Sequence, residues 1–459
     1  MKRLSLLFLL ISANLIAFSQ HDHHKDHDAK KDTSVQRMHK SDTTHPGHSM
    51  HHMEGHKSLS PMSHAFSPNL PMNRNGSGTG WLPDSSPMYG YMKHSNDWMF
   101  MMHGSLFLRY NNQDFSNKGT RGDDDFDAPN WFMLMGQRKV KRNGLFHFNA
   151  MISLDPITQT GKGYPLLFQT GESFEDKPLV DRQHPHDFIS ELSVSYAHAL
   201  SPNTDVFVYA GYPGEPALGP VTFMHRPSSL DNPNAPISHH WVDATHITFG
   251  VVTAGLRVGK MKLEGSSFTG REPNENRYSF DKPRFDSWSS RLSYNPTSDL
   301  ALQVSHGYVK SPEEAHPDEN VHKTTASAIY SKTFQNNSMI NATALWGMNK
   351  QKDRDGENAA LGEAAWRINR TAIYGRYEFT EKSAEELVLN DGFDEHDVFN
   401  VHALTIGANY DILKIGKLNL AGGGQWSIYK SPSALENIYG KNPMSFQVYL
   451  RIYPELMKM

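Results

Sequence analysis

The chain has no cysteine in its 459 residues. That absence excludes disulfides, thiolate zinc sites and cysteine nucleophiles. A dominant charge is also lacking: 45 Lys and Arg stand against 49 Asp and Glu, for a formal net charge of -4. Such a balance gives nucleic acid no electrostatic footing, and no nucleic-acid partner is expected. After the first nineteen residues no apolar run is long enough to form a membrane-spanning helix. Enzyme motifs are missing as well, with no G-x-S-x-G elbow, Walker loop or H-E-x-x-H. Ser305-His306 and Ser193 are the best a hydrolase reading can draw on, and nothing around them supports it. An enzyme is therefore not expected.

The first thing present is an address. Lys2 and Arg3 precede the apolar run Leu4 to Ile11, and Ala17 and Ser19 are small residues spaced for cleavage before Gln20. Residues 1–19 read as a signal peptide, since the run is short for an anchor. Behind it, residues 20–95 hold few large aliphatics and many His, Lys, Asp, Ser, Pro and Gly. Such a segment cannot bury enough apolar area to offset chain entropy, and it is expected to be disordered. Its imidazoles and thioethers are dense: His21, His23, His24, His27, His39, His45, His48, Met50, His51, His52, Met53, His56, Met62 and His64. Imidazole suits Cu(II) and Zn(II), and thioether suits Cu(I). Copper is the expected metal, with zinc second.

From Trp98 the texture changes. Segments of about ten residues alternate in polarity. Leu192, Val194 and Tyr196 alternate with Glu191, Ser193 and Ser195, and Phe446, Val448, Leu450 and Ile452 alternate with Gln447, Tyr449, Arg451 and Tyr453. A strand pleats with period two, so each such segment has one greasy and one polar face. The pattern predicts about sixteen strands, near 98–111, 130–141, 144–154, 188–199, 204–212, 246–258, 261–270, 286–295, 299–309, 323–334, 338–348, 358–368, 371–381, 401–411, 416–429 and 444–453. Short turns, one of them Leu413-Lys414-Ile415, alternate with long polar connections. Strands of this length cover the roughly 25 Å apolar band of an outer membrane, whereas sandwich strands average about five or six residues. The expected fold is all-β: a transmembrane antiparallel barrel over residues 96–459 with outer-membrane lipids around it. Its termini lie on the short-turn, periplasmic side. Trp98, Trp131, Tyr209, Tyr212, Trp346, Tyr377, Tyr410 and Tyr453 are candidates for interfacial girdles.

Two long loops carry more apolar residues than free surface loops need, and they are expected to fold into the lumen. One holds Gly163 to Glu172 and then Asp181-Arg182-Gln183-His184-Pro185-His186-Asp187. The other holds Gly214-Glu215-Pro216-Ala217-Leu218-Gly219-Pro220, Met224-His225-Arg226 and His239-His240-Trp241-Val242-Asp243-Ala244-Thr245-His246. If they converge, His184, His186, His225, His239, His240 and His246 form either a Cu(II) or Zn(II) site with Asp187 and Asp243 in support, or a polar network that pins the loops. The strand charges Arg109, Glu191, Glu264, Arg291, Arg376 and Glu378 are costly against lipid and should face the lumen, in ion pairs or along an ion path. Asp181, Arg182, Glu215, Arg226, Arg271 and Glu272 are expected to extend the network.

The order of parts resembles the copper-resistance outer-membrane B protein family: signal peptide, Met/His-rich tail, C-terminal barrel. The motifs Asp181 to Asp187, Gly214 to Pro220, His239 to His246 and Gly270-Arg271-Glu272-Pro273 look closer to a family of uncharacterised predicted outer-membrane proteins. The first resemblance implies metal binding, sequestration or efflux at the outer membrane, with periplasmic efflux components as partners. The elaborate loops depart from it, so no residue role carries over. The alternatives are a plugged porin or transporter for another small solute, and a non-conducting structural barrel.

Overall fold

The structure, a computed structural model, describes residues 62–457 apart from 176, 315, 337, 390 and 391. Sixteen long strands close into an antiparallel barrel. They are β1 (Trp98–Gln113), β2 (Asn130–Val140), β3 (Gly144–Ile152) and β4 (Ile189–Ser201). Next come β5 (Thr204–Gly211), β6 (Val251–Val258), β7 (Met261–Phe268) and β8 (Ser287–Thr297). Then follow β9 (Leu300–Lys310), β10 (Asn320–Thr333), β11 (Met339–Gln351) and β12 (Glu357–Ile368). The last are β13 (Thr371–Ser383), β14 (Val398–Ile415), β15 (Leu418–Lys430) and β16 (Met444–Pro454). β16 closes on the second half of β1, with Leu450 opposite Leu108 and Phe446 opposite Asn112. Two short strands, Tyr91–Ser95 and Asp123–Asp127, extend the wall along β1 at this seam.

The polarity of the wall is inverted relative to a water-soluble barrel. Leu192, Val304, Ile406 and Val448 are about half exposed on the outside. Their neighbours Ser193, Ser305, Thr405 and Gln447 are buried inside. Closed pairing satisfies every internal strand edge, which a strand in hydrocarbon requires.

Segments from both ends fill the lumen. Residues 62–90 occupy the short-turn end, where Ser85 donates to Asp299 at 2.5 Å and Asn295 donates to the Leu82 carbonyl at 2.9 Å. Arg74 pairs with Asp84 at 2.5 Å and lies 4.7 Å over the Trp81 ring. Residues 62–95 are thus ordered, contrary to the flexible tail expected for 20–95. The lumen is lined with hydrogen-bonding groups, so a Gly/Ser/Asn-rich segment finds polar partners there without needing a greasy core of its own. The earlier tail residues, His21 to His56, lie outside the described region. From the other end a hairpin of Tyr164–Phe174 and Lys177–Gln183 folds inward, as does loop 212–250. Phe168 stacks on Tyr439 at 4.0 Å.

Each of the sixteen expected strands is present. Two boundaries move by more than three residues. Residues 246–250 belong to the inward loop and not to β6, and β14 runs through 413–415 to turn at Gly416, whose φ of +58° suits glycine. Three girdle assignments fail: Tyr209 and Tyr453 are 2% exposed in the lumen, and Trp131 packs on His103 and His225. Tyr212, Trp346, Tyr377 and Tyr410 do lie on the outer, exposed side.

Candidate functional site: an imidazole ring inside the lumen

The two inward loops bring five histidines together. Ring centroids run His184–His186 6.2 Å, His186–His246 5.5 Å, His246–His239 5.0 Å, His239–His240 5.2 Å and His240–His184 5.9 Å, a closed circuit. Ligand-capable atoms of His184, His239 and His240 lie within 4.8 Å of one another. A one-turn helix, His239–Val242, puts His239 and His240 on adjacent corners. Gly171 sits against His240; with φ +103°, a Cβ there would fall 2.3 Å from His240 Cε1. Only glycine lets the hairpin approach the ring this closely.

Each ring is aimed by a partner. His239 Nδ1 meets Asp243 Oδ1 at 2.5 Å, His186 Nδ1 meets Asp155 Oδ2 at 2.8 Å, and His246 Nδ1 meets the Asp243 carbonyl at 2.9 Å. His240 Nδ1 faces Glu272 at 3.7 Å, and His184 Nε2 faces Glu172 at 3.2 Å. The Nε2 atoms of His186, His240 and His246 are buried with no hydrogen-bond partner. An Nδ1–H directed at a carboxylate or carbonyl leaves the Nε2 lone pair as the ligand, the arrangement metal-bound imidazoles adopt. His240 belongs both to this set and to the close triad.

Electrostatics keeps most of the ring neutral. Burial pushes His184, His239 and His246 down, and Arg277 adds to the effect at His184. At His240 burial is outweighed by Glu272 and Glu172, and the value rises. Asp243 is held down to about 2; its own burial opposes this, but His239 and Arg226 outweigh it. Neutral imidazole beside ionised carboxylate is the protonation state a divalent ion requires.

Behind the ring runs a buried ion chain. Arg226 joins Asp243 and Glu363, each at 2.8 Å, and Glu363 joins Arg376 at 2.9 Å. The other expected network residues are also engaged. Arg109 pairs with Asp127 at 2.5 Å and donates to Asn234 at 2.6 Å. Arg291 pairs with Glu264 at 2.9 Å, and Asp181 with Arg121 at 3.0 Å. Arg182 pairs with Asp123 at 2.5 Å, and Asp187 faces Arg277 at 3.6 Å. Arg271 donates to the Ser311 carbonyl at 2.8 Å. Three carboxylates are held by neutral donors: Glu191 by Ser193, Asn149 and Tyr209, Glu215 by Ser77 and Thr222, and Glu378 by Ser238.

Two tail candidates and one loop candidate lie apart. His225 leaves the ring and packs at a tilt against Trp131, 4.6 Å between centroids. His64 packs against Phe66 and Trp81, and Met62 joins a methionine cluster. The reading from sequence missed Asp155, Glu172 and Arg277. It also missed a vestibule of about 90 Å³ on the long-loop side, lined by Glu172, Glu272, Glu313, Glu357, Glu386 and His240. A second group there, His316, Glu319 and Glu385, has ligand atoms within 4.8 Å. Arg354 already takes up both of its carboxylates, at 3.2 and 2.8 Å.

Barrel closure, strand length and an apolar outer face define a porin-like outer-membrane β-barrel with an occluded lumen. No family model matches the chain, and no curated protein matches it. Among solved structures it is similar to Salmonella typhi OmpF in complex with daunomycin (10% identity, TM-score 0.47, 79% of this chain and 99% of that one). The anion-selective porin from Comamonas acidovorans is similar too (11%, 0.46, 78% and 99%). So is a loop L8 deletion mutant of the Vibrio cholerae outer membrane protein OmpT (7%, 0.46, 78% and 99%). At these scores the likeness has no bearing on what this barrel carries.

Proposed function

We propose that this barrel binds and handles a transition-metal ion, copper foremost, at the outer membrane, with the lumen imidazole ring as its holding site. The observation that carries the reading is the ring itself, with Nδ1 atoms tied to carboxylates or carbonyls and three Nε2 atoms buried and unpartnered. Unpartnered buried Nε2 atoms also occur singly at His64 and His147, and what favours a metal over loop pinning is that three of them fall within one closed circuit of rings. The carboxylate-lined vestibule favours cations over anions on the approach to His240. Imidazole and carboxylate suit Cu(II) or Zn(II). In this reading the His/Met-rich tail, His21 to His56, gathers metal through many weak sites, and the copper-resistance resemblance points the same way.

The test is metal retention by purified full-length protein after a chelator wash. Wild type should keep Cu(II) or Zn(II) that His186→Gln/His239→Gln/His240→Gln loses, since both proteins carry the same tail. Equal retention would leave a plugged barrel for another small solute as the reading. Deleting residues 21–56 tests the tail separately, through copper tolerance of cells.

A further inference from the structure

One sector of the lumen wall is unlike the rest. Elsewhere the inward positions mix Ser, Thr, Asn, Gln and charged groups with aliphatic and aromatic residues such as Phe207, Val309, Leu361 and Val401, and methionine is rare among them. On β1 to β3 they include Met99, Met101 and His103, then Met133 and Met135, then Met151. Register places Met101 opposite Met135 and Met133 opposite Met151. Met62 and Met72 of the N-terminal segment and Met224 of the inward loop close over this wall. The methionines therefore come from five separate stretches of chain.

Between wall and cover lies a cavity of about 70 Å³. Its lining includes Met88, Met101, Met133, Met135 and Met224, with His103 and His225. The two imidazole centroids are 6.1 Å apart, and both rings flank Trp131, at 5.1 and 4.6 Å. His103 Nε2 is buried without a hydrogen-bond partner. Glu191 also lines the cavity, and its carboxyl is held by Ser193, Asn149 and Tyr209 with no Lys or Arg paired to it. Arg451 at the edge is tied to Asp231 at 2.6 Å.

Methionine is a common filler of irregular cores, because the thioether chain adapts to any gap. Filling is a poor account here, since flexible side chains leave a cavity open with an unpaired imidazole facing it. We propose that this cavity binds a soft monovalent cation, Cu(I) or Ag(I), through thioether sulfur and the imidazoles of His103 and His225. Thioethers are neutral, soft ligands that discriminate against Zn(II) and Cu(II). A single positive charge beside Glu191 is far easier to desolvate than a double one. The site deepens the metal-handling reading but uses none of the imidazole-ring residues, so each stands or falls by itself. Phe223-Met224-His225 links them: Phe223 packs on His239 at 5.5 Å while the next two residues face the methionine wall.

The test titrates full-length protein in detergent with Ag(I), the air-stable probe for Cu(I), and counts ions retained after gel filtration. Met101→Leu/Met133→Leu/Met135→Leu conserves volume and apolarity. It should retain one fewer silver ion per chain and still hold Cu(II) or Zn(II). His186→Gln/His239→Gln/His240→Gln should show the converse: full silver, lost divalent metal. Equal silver in wild type and the leucine variant overturns the proposal. Should that variant not fold, wild type alone decides. Peroxide oxidation read by peptide mass spectrometry should slow at Met101, Met133, Met135 and Met224 when silver is bound. It should be unchanged at Met102, which is 46% exposed on the opposite face of the same strand. Unslowed oxidation at the lumen methionines also overturns the proposal.

Discussion

Asp243→Asn changes one charge and almost no volume at the point where the imidazole ring meets the ion chain. Asp243 Oδ1 holds His239 Nδ1 at 2.5 Å, while Oδ2 accepts from Arg226 at 2.8 Å and from the Phe223 amide at 3.1 Å. An amide cannot serve all three. With its oxygen toward Arg226, its NH2 opposes the Nδ1–H of His239, and the ring loses its aim. Removing such an orienting partner lowers metal affinity about 10- to 100-fold, which is about 1.4 to 2.7 kcal/mol. Stability falls too. Breaking a fully buried pair costs about 3 to 5 kcal/mol, and the lower end applies because Arg226 keeps Glu363 at 2.8 Å. Isothermal titration with Zn(II) reads the first quantity, and the urea midpoint of heat-modifiable electrophoretic mobility reads the second. Glu363→Gln is the control: it strips the other carboxylate from Arg226 and leaves His239 and Asp243 together. It should lower stability and spare metal affinity. Equal loss of affinity in both variants would mean that loosened packing, not ring orientation, governs binding, and unchanged affinity in folded Asp243→Asn would refute the metal geometry.

Because residues 62–90 and both inward loops fill the lumen, purified protein should pass no steady porin-sized current in planar bilayers; regular open-channel steps would contradict the occlusion described. Gly171→Ala should abolish divalent-metal retention, since its Cβ meets the His240 ring at 2.3 Å. Gly259→Ala, at φ +58° with open space around it, should cost about 1 kcal/mol of stability and leave metal retention unchanged. Ile406→Arg, on the outer face within β14, should destabilise the barrel in lipid vesicles by about 2 to 4 kcal/mol. Ile415→Arg, at the rim end of the same strand, should cost about 0 to 1 kcal/mol; equal effects would mean that lipid does not cover this face.

The strands were legible because lipid on one side and packed polar groups on the other enforce period two, and a one-residue slip would turn Val448 inward and Gln447 outward. The inward folding of the two loops was anticipated from residues too apolar for free solution, whereas the meeting of His184, His186, His239, His240 and His246 depends on loop paths that one sequence does not fix. What misled was reasoning that assumes a greasy interior. Residues 62–95 looked unfoldable because they carry little to bury, yet the interior here is a hydrogen-bonding one, and Asn73, Ser77 and Thr79 are buried in it. Tyr209 and Tyr453 were assigned to the membrane interface by their nearness to strand ends; their strand parity, shared with Phe207 and Arg451, already pointed inward. The methionine wall was written at period two in Met99, Met101, Met133 and Met135, but methionine counted simply as apolar does not stand out on a face that also carries Phe107 and Leu145. His225 could not be separated from its loop partners without the fold, since only the path of the chain turns it toward Trp131.

The segment that fills the short-turn end has a consequence for how the barrel is held shut. It precedes β1 in the chain and runs straight into the strand that forms the seam. That seam joins the first long strand of the chain to the last, so the segment and the closure share one edge of the sheet. Plug and clasp are thus tethered through a single strand, and a load on the one is felt at the other.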